Sequence, residues 1–369
     1  AATDKLLWSE AYDHDISSIF TTRTKVAQEV ARQLQVELGV EEERELEERG
    51  TDNAEAYALY LQGRAHWNRR TLGDFEKAEG YFKAALLLDE NFAVAYSGLA
   101  DVHALWGWYS GSSSGSHSKL TFEFAERAEK LNPRLAQPHA TLGWAKGIFH
   151  SDWEGAELEF DTAITLNPNY ANGYHWLADM LLILGRPEQA LVAARRSVEL
   201  DPTSINHATV ANALIFLGKT DDAVAYLQKR IEEDPTFLLY RVRLGEAFIE
   251  KKMFARAAGE LDLLDSTEVS KERLMAMRAR VFALMGKTSE ARRLLKELDE
   301  LMQTSSDLGG SIAIALISLG DDDAALTRLE RLVASRGDLM GFLFSRRVWI
   351  KLHDHPRYQA VLRTLNLLD

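Results

Sequence analysis

Residues 142–168 read LGWAKGIFHSDWEGAELEFDTAITLNP. Within this stretch a small residue, Gly143, is followed by Ala156, then by Phe160 four residues further on, and finally by Pro168 after an asparagine. The same marks recur along the chain. Asn-Pro and Asp-Pro pairs place Pro133, Pro168, Pro202 and Pro235 at spacings of 35, 34 and 33. Gly185, Gly218, Lys252, Gly286 and Gly320 follow at 33, 34, 34 and 34. Gly143, Ala178, Ala211, Gly245, Ala279 and Ala313 form a third ladder, and Ala156, Ala190, Ala223, Ala257, Ala291 and Ala325 a fourth. Four ladders with one period mean a repeated structural unit.

Each ladder has a physical role. About 12 residues separate the two small-residue ladders, the distance from the middle of one helix (A), across a tight turn, to the middle of the next (B). Small side chains there let antiparallel helices approach closely. The glycine falls where helix A ends and the backbone turns left-handed. The proline lies beyond helix B, which it cannot extend. Phe160, Phe216, Leu227, Phe248, Phe282 and Leu295 fill the gaps. The pattern resembles the tetratricopeptide (TPR) consensus, whose period is about 34 residues. The resemblance covers roughly residues 54–350 in about eight units. It implies an all-α, right-handed superhelical solenoid. Two departures stand out: unit two carries about nine extra residues around Gly111–Ser116, a loop by composition, and units seven and eight lack the proline.

Composition agrees with helices. The 369 residues include only 7 prolines, 46% are hydrophobic and 27% charged, which supports a folded core. A net charge of −13 disfavours direct nucleic-acid contact, which needs clustered Lys and Arg. Without cysteine there is no disulfide, thiolate metal site or cysteine nucleophile. No phosphate loop, zinc-protease, nucleophile-elbow or dinucleotide fingerprint occurs, so the chain reads as non-catalytic and without a cofactor. His353-Asp354-His355 reads as a polar turn before Pro356 rather than a metal cluster. No apolar run approaches the roughly 20 residues of a membrane span, and the start lacks a signal-peptide pattern. The expected setting is cytoplasmic, with the periplasm as the alternative.

The ends differ from the repeats. At the C-terminus, Pro356 opens a short helix whose Tyr358, Val361, Leu362 and Leu365 would cover the last unit. Residues 1–50 contain a strand-like run over 5–12, an amphipathic helix from Thr24 to about Leu38, and a charged stretch to Arg49. Leu7-Trp8-Ser9-Glu10, Tyr12-Asp13, Asp15-Ile16 and Ile19-Phe20 resemble the end of the TolB amino-terminal-like α/β domain. Thr51-Asp52-Asn53, Asp152-Trp153 and His355-Pro356-Arg357-Tyr358 fit the same group of bacterial signalling proteins. There, TPR arrays follow winged-helix, adenylate cyclase or kinase modules. The resemblance implies a division into a remnant domain, 1–50, and a TPR domain, 51–369, in a regulatory context.

Function is then expected on the concave wall lined by the A helices. The residue after each small packing position should point inward: Asp101, Trp144, Asp179, Asn212, Glu246 and Arg280. His175 precedes Asp179 by one turn, and Asn172 and Arg273 lie nearer their helix starts. This set suggests a groove grading from acidic to basic that clamps an extended peptide or protein segment, with Trp144, Ile215 and Phe216 as apolar anchors. A small-ligand sensor, or the C-terminal part of an enzyme whose catalytic domain lies outside this chain, is the alternative; homo-oligomerisation is compatible with either.

Overall fold

The computed structural model describes residues 50–110, 114–202, 204–264, 271–302, 309–335, 339–343 and 345–368. The expectations for 1–49, including the strand over 5–12, lie outside them. Among the described residues the chain is helical without a strand. Eight antiparallel pairs follow one another: α1 (Ala54–Arg69) with α2 (Leu72–Leu88), α3 (Ala93–Ser110) with α4 (Ser114–Leu131), α5 (Ala136–His150) with α6 (Trp153–Leu166), and α7 (Ala171–Ile183) with α8 (Pro187–Leu200). Then come α9 (Ser204–Phe216) with α10 (Thr220–Glu233), α11 (Leu239–Glu250) with α12 (Phe254–Asp262), α13 (Lys271–Leu284) with α14 (Thr288–Met302), and α15 (Gly309–Ser318) with α16 (Asp322–Ala334). A short α17 (Met340–Leu343), a 3-10 turn (Arg346–Leu352) and α18 (Pro356–Thr364) close the chain. Part of the Ser-rich stretch expected as loop is helical, because α4 already begins at Ser114.

The ladders do what their chemistry requires. Ala156, Ala190, Ala223, Ala257, Ala291 and Ala325 are all fully buried where the paired helices meet. A Cβ on Gly143 would stand 3.1 Å from the Phe160 ring and from the Ala156 carbonyl, so glycine sets that close approach. Gly185, Gly218, Gly286 and Gly320 have φ of +74°, +73°, +74° and +78°. Each ends its A helix with two overlapping bonds, as in Gly218 N to Ile215 O at 3.0 Å and Lys219 N to Leu214 O at 2.9 Å. Lys252 takes the same conformation with φ 58°, and Ser151 with φ 53° is the third unit's member of the series. Asn53, Thr71 and Asp152 cap α1, α2 and α6 through side-chain oxygens that accept from backbone N–H groups of the first turn.

From unit to unit, except between units six and seven, the A helices pack on one another, whereas the B helices turn outward. The A helices therefore form the inner wall and the B helices the convex one. Leu158 and Val192, two residues beyond their buried alanines, show this outward face, at 67% and 71% exposure. At the C-terminus Tyr358, Val361, Leu362 and Leu365 are buried. Trp349 stacks flat on Tyr358, with 5.7 Å between centroids and 2° between planes.

Candidate functional site: the inner wall

The inner wall is built differently in its two halves. In units one to four it is filled. Trp67, near the end of α1, lies 6.3 Å from Trp176 of α7, three units on, and Trp176 lies 5.6 Å from Trp144 of α5. The guanidinium groups of Arg64 and Arg70 cover Trp67 at 4.2 and 3.5 Å from its centroid, a cation–π arrangement. Asp101, 1% exposed, accepts from Arg64 at 2.6 Å and from the Thr141 hydroxyl at 2.5 Å. Burial pushes its carboxyl up, and Arg64 and Thr141 oppose that. Asp101 thus ties α1, α3 and α5 together.

One unit further, His175 Nδ1 lies 3.0 Å from the Thr209 hydroxyl of α9, and its Nε2 lies 3.7 Å from Asp179. Burial, with Arg70 nearby, pushes His175 down to about 3, so it is a neutral ring at physiological pH. Burial also raises Asp179 to about 7, against the pull of Arg243, Thr209 and Arg70. Asp179 Oδ1 and the indole N–H groups of Trp67 and Trp144 find no hydrogen-bond partner among the described residues. Asn172 reaches the Tyr170 hydroxyl at 3.4 Å, and Asn212 is buried on α9.

In units six and seven the wall is looser. Glu246, 34% exposed, receives Arg243 at 2.9 Å. Arg280 of α13 is held down by burial, against the acids Glu246 and Glu250. Arg273 sits half-buried two turns earlier on the same helix. Arg347 from the 3-10 turn approaches Glu250 at 3.4 Å.

The structure therefore buries Asp101, Trp144, His175 and Asn212, with Asp179 largely covered beside His175, and leaves Glu246 and Arg273 on a more accessible stretch where Arg280 is held by burial beside Glu246 and Glu250. Arg64, Trp67, Arg70, Thr141, Arg243 and Arg347 were not singled out from the sequence. Arg64 had a signal: it follows Gly63, which packs against Phe82 as the first unit's small residue. It thus begins the same inward series that continues with Asp101 after Ala100.

Among the described residues no group of three or more His, Cys, Asp or Glu side chains is arranged to hold a metal ion. His355 instead caps α18, accepting from Arg357 N at 3.3 Å. No described helix is long and apolar enough to cross a membrane.

Comparison with known proteins identifies the architecture. Residues 159–192 match the family model of the tetratricopeptide repeat. Human IFIT1, solved as a dimer with m7Gppp-AAAA, superposes with a TM-score of 0.59 at 14% identity, over 93% of this chain and 77% of IFIT1. The APC/C hetero-tetramer Cut9–Hcn1 gives a TM-score of 0.56 at 17% identity, over 83% of this chain and 59% of that one. A thermophilic TPR protein of Thermus thermophilus, TTC0263, aligns with 53% of this chain and 99% of its own length at 20% identity and a TM-score of 0.43. No curated protein matches the sequence. The fold is an all-α superhelix of tetratricopeptide type.

Proposed function

We propose that this chain is a non-catalytic protein-interaction scaffold that receives a peptide or protein segment on the inner wall of units six and seven, along α11 and α13. The carrying observation is the contrast between the two halves of the wall. Asp101, Trp144, His175 and Asn212 are buried, whereas Glu246 keeps about a third of its side chain in water. Side chains that hold charge and remain accessible are the ones a partner can pair with. Exposed pairs are each worth about 0–1 kcal/mol, so several contacts and an apolar anchor must combine.

The Cut9–Hcn1 assembly supports a protein partner by analogy of fold. Human IFIT1 was solved with m7Gppp-AAAA, but here Arg64 and Arg243 face carboxylates at 2.6 and 2.9 Å and the net charge is −13. That distribution suits a peptide carrying both signs better than a phosphate backbone. The resemblance of the N-terminal residues to bacterial signalling proteins supports a regulatory role for this scaffold, such as sensing for a transcriptional or cyclase module.

The test is affinity capture with the unsubstituted chain, with Glu246→Lys/Arg273→Glu, and with a convex-face control, Leu158→Glu/Val192→Glu. The proposal expects the same partners from the first and the control, and their loss from the inner-wall variant. Retention by the inner-wall variant would refute it.

A further inference from the structure

A terminal cap need only cover the last repeat, and Phe342, Trp349, Tyr358 and Leu362 do so here. The C-terminal segment reaches much further. The indole N–H of Trp153, in the turn of unit three, donates to Leu365 O at 2.8 Å, across 212 residues. Asn366 donates to Ser151 O in the same turn at 3.1 Å. Arg347 donates to Ile215 O at the end of α9 and lies 3.4 Å from Glu250 at the end of α11. Lys351, four residues later, donates to Ile317 O at 3.2 Å and to Asp322 at 2.5 Å in the turn of unit eight.

Ile215 and Ile317 hold the same register. Each precedes its left-handed glycine by three residues, and its carbonyl already accepts that glycine's N–H, Gly218 at 3.0 Å and Gly320 at 3.2 Å. These carbonyls are the negative ends of their helix dipoles, with a carboxylate beside each, and they favour a cation. Arg347 and Lys351 supply one apiece.

We infer that residues 345–368 form a releasable clasp that closes the superhelix on itself, pinned at one end on the turn of unit three and holding the turns of units five, six and eight with two cations. A single apolar cluster running from Trp67 through Trp144 and Trp153 to Trp349 and Leu365 accompanies that closure. The cation contacts lie at the surface, with Arg347 39% and Lys351 45% exposed, and salt screens such contacts. A partner segment bearing Arg or Lys would compete with Arg347 for Glu250, so opening the clasp and exposing the inner wall are one event. The closure is read from contacts within the chain and stands whether or not the inner wall is the binding surface.

Because the chain has no cysteine, two labels can be placed cleanly. Spin labels on Glu154→Cys and Arg363→Cys report the clasp's far end by pulsed electron resonance. The expected result is one narrow, short distance at low salt. It moves outward and broadens in 1 M NaCl, where the screening length falls to about 3 Å. The same outward shift is expected in Arg347→Ala/Lys351→Ala at low salt, with helical content retained, whereas Arg347→Lys keeps the narrow distance. A narrow distance that survives both the double substitution and high salt, or a broad one in the unsubstituted chain, would overturn the inference. The salt titration leaves Arg347 and Lys351 in place, so it decides the matter even where the double variant folds poorly.

Discussion

Removing Arg64 should injure this protein far more than removing an ordinary surface charge, although Arg64 keeps 22% of its side chain in contact with water. Its partner Asp101 is 1% exposed and keeps the Thr141 hydroxyl and the weaker pull of Arg70 once the guanidinium is gone. Breaking a buried pair by deleting one partner costs about 3–5 kcal/mol, because the remaining charge is neither solvated nor paired. Loss of the cation over Trp67, at 4.2 Å, adds about 0.5–1 kcal/mol. Arg64→Ala is therefore expected to lower stability by about 4 kcal/mol. Arg64→Met/Asp101→Leu should recover most of this, since Thr141 also donates to Gln137 O at 3.1 Å and leaves nothing orphaned. Urea unfolding followed by tryptophan fluorescence is the assay, with Trp67, Trp144 and Trp176 reporting on the region directly. A loss below about 1 kcal/mol in Arg64→Ala, the range of surface pairs, would refute the reasoning, as would a double variant no better than the sum of the singles.

Four further outcomes follow from the same packing. Asp179, raised to about 7 in the fold against an unfolded value near 3.8, favours the folded state only while protonated; its contribution is complete below pH ~4 and lost as pH rises towards 7. Asp179→Asn should thus stabilise the chain more at pH 8 than at pH 5 in thermal melts, and an equal effect at both would contradict the burial. His175 has the opposite sign: lowered to about 3, it contributes fully above about pH 6.5 and loses that contribution as pH falls, so the acid limb should steepen in Asp179→Asn. Lys252→Gly should raise stability by about 1 kcal/mol in denaturant titrations by removing a left-handed non-glycine at φ 58°; a decrease would mean that the Lys252 side chain carries a contact of greater value. Ala257→Asp, placing a charge where exposure is 0%, should cost on the order of 3 kcal/mol or more and drop the melting temperature visibly; an unchanged melt would contradict the ladder's role.

The repeats were legible in sequence because each ladder states a local requirement: a small residue where helices touch, a glycine where φ turns positive, a proline where helix B must stop. Ser151 was hidden from that reading, since it meets the left-handed requirement without glycine. The residue following each small position was legible as inward-facing. What inward means was not. Asp101 and Asp179 face an axis narrow enough for Trp67 and Trp176 to meet across three units, so their positions became core, whereas Glu246 on the same register kept water. That difference comes from superhelix curvature, which sums small rotations over many units and leaves no mark at a single position. The clasp was illegible for the same reason: Arg347 meets Ile215 across 132 residues, a distance no 34-residue period encodes.

Hydrogen exchange of the chain with and without its captured partner tests the central claim most directly. Partner binding on the inner wall predicts slowed exchange along α11 and α13, over 239–250 and 271–284, with α8 on the convex side unchanged. Protection confined to α8, with α11 and α13 exchanging as in the free chain, would contradict it.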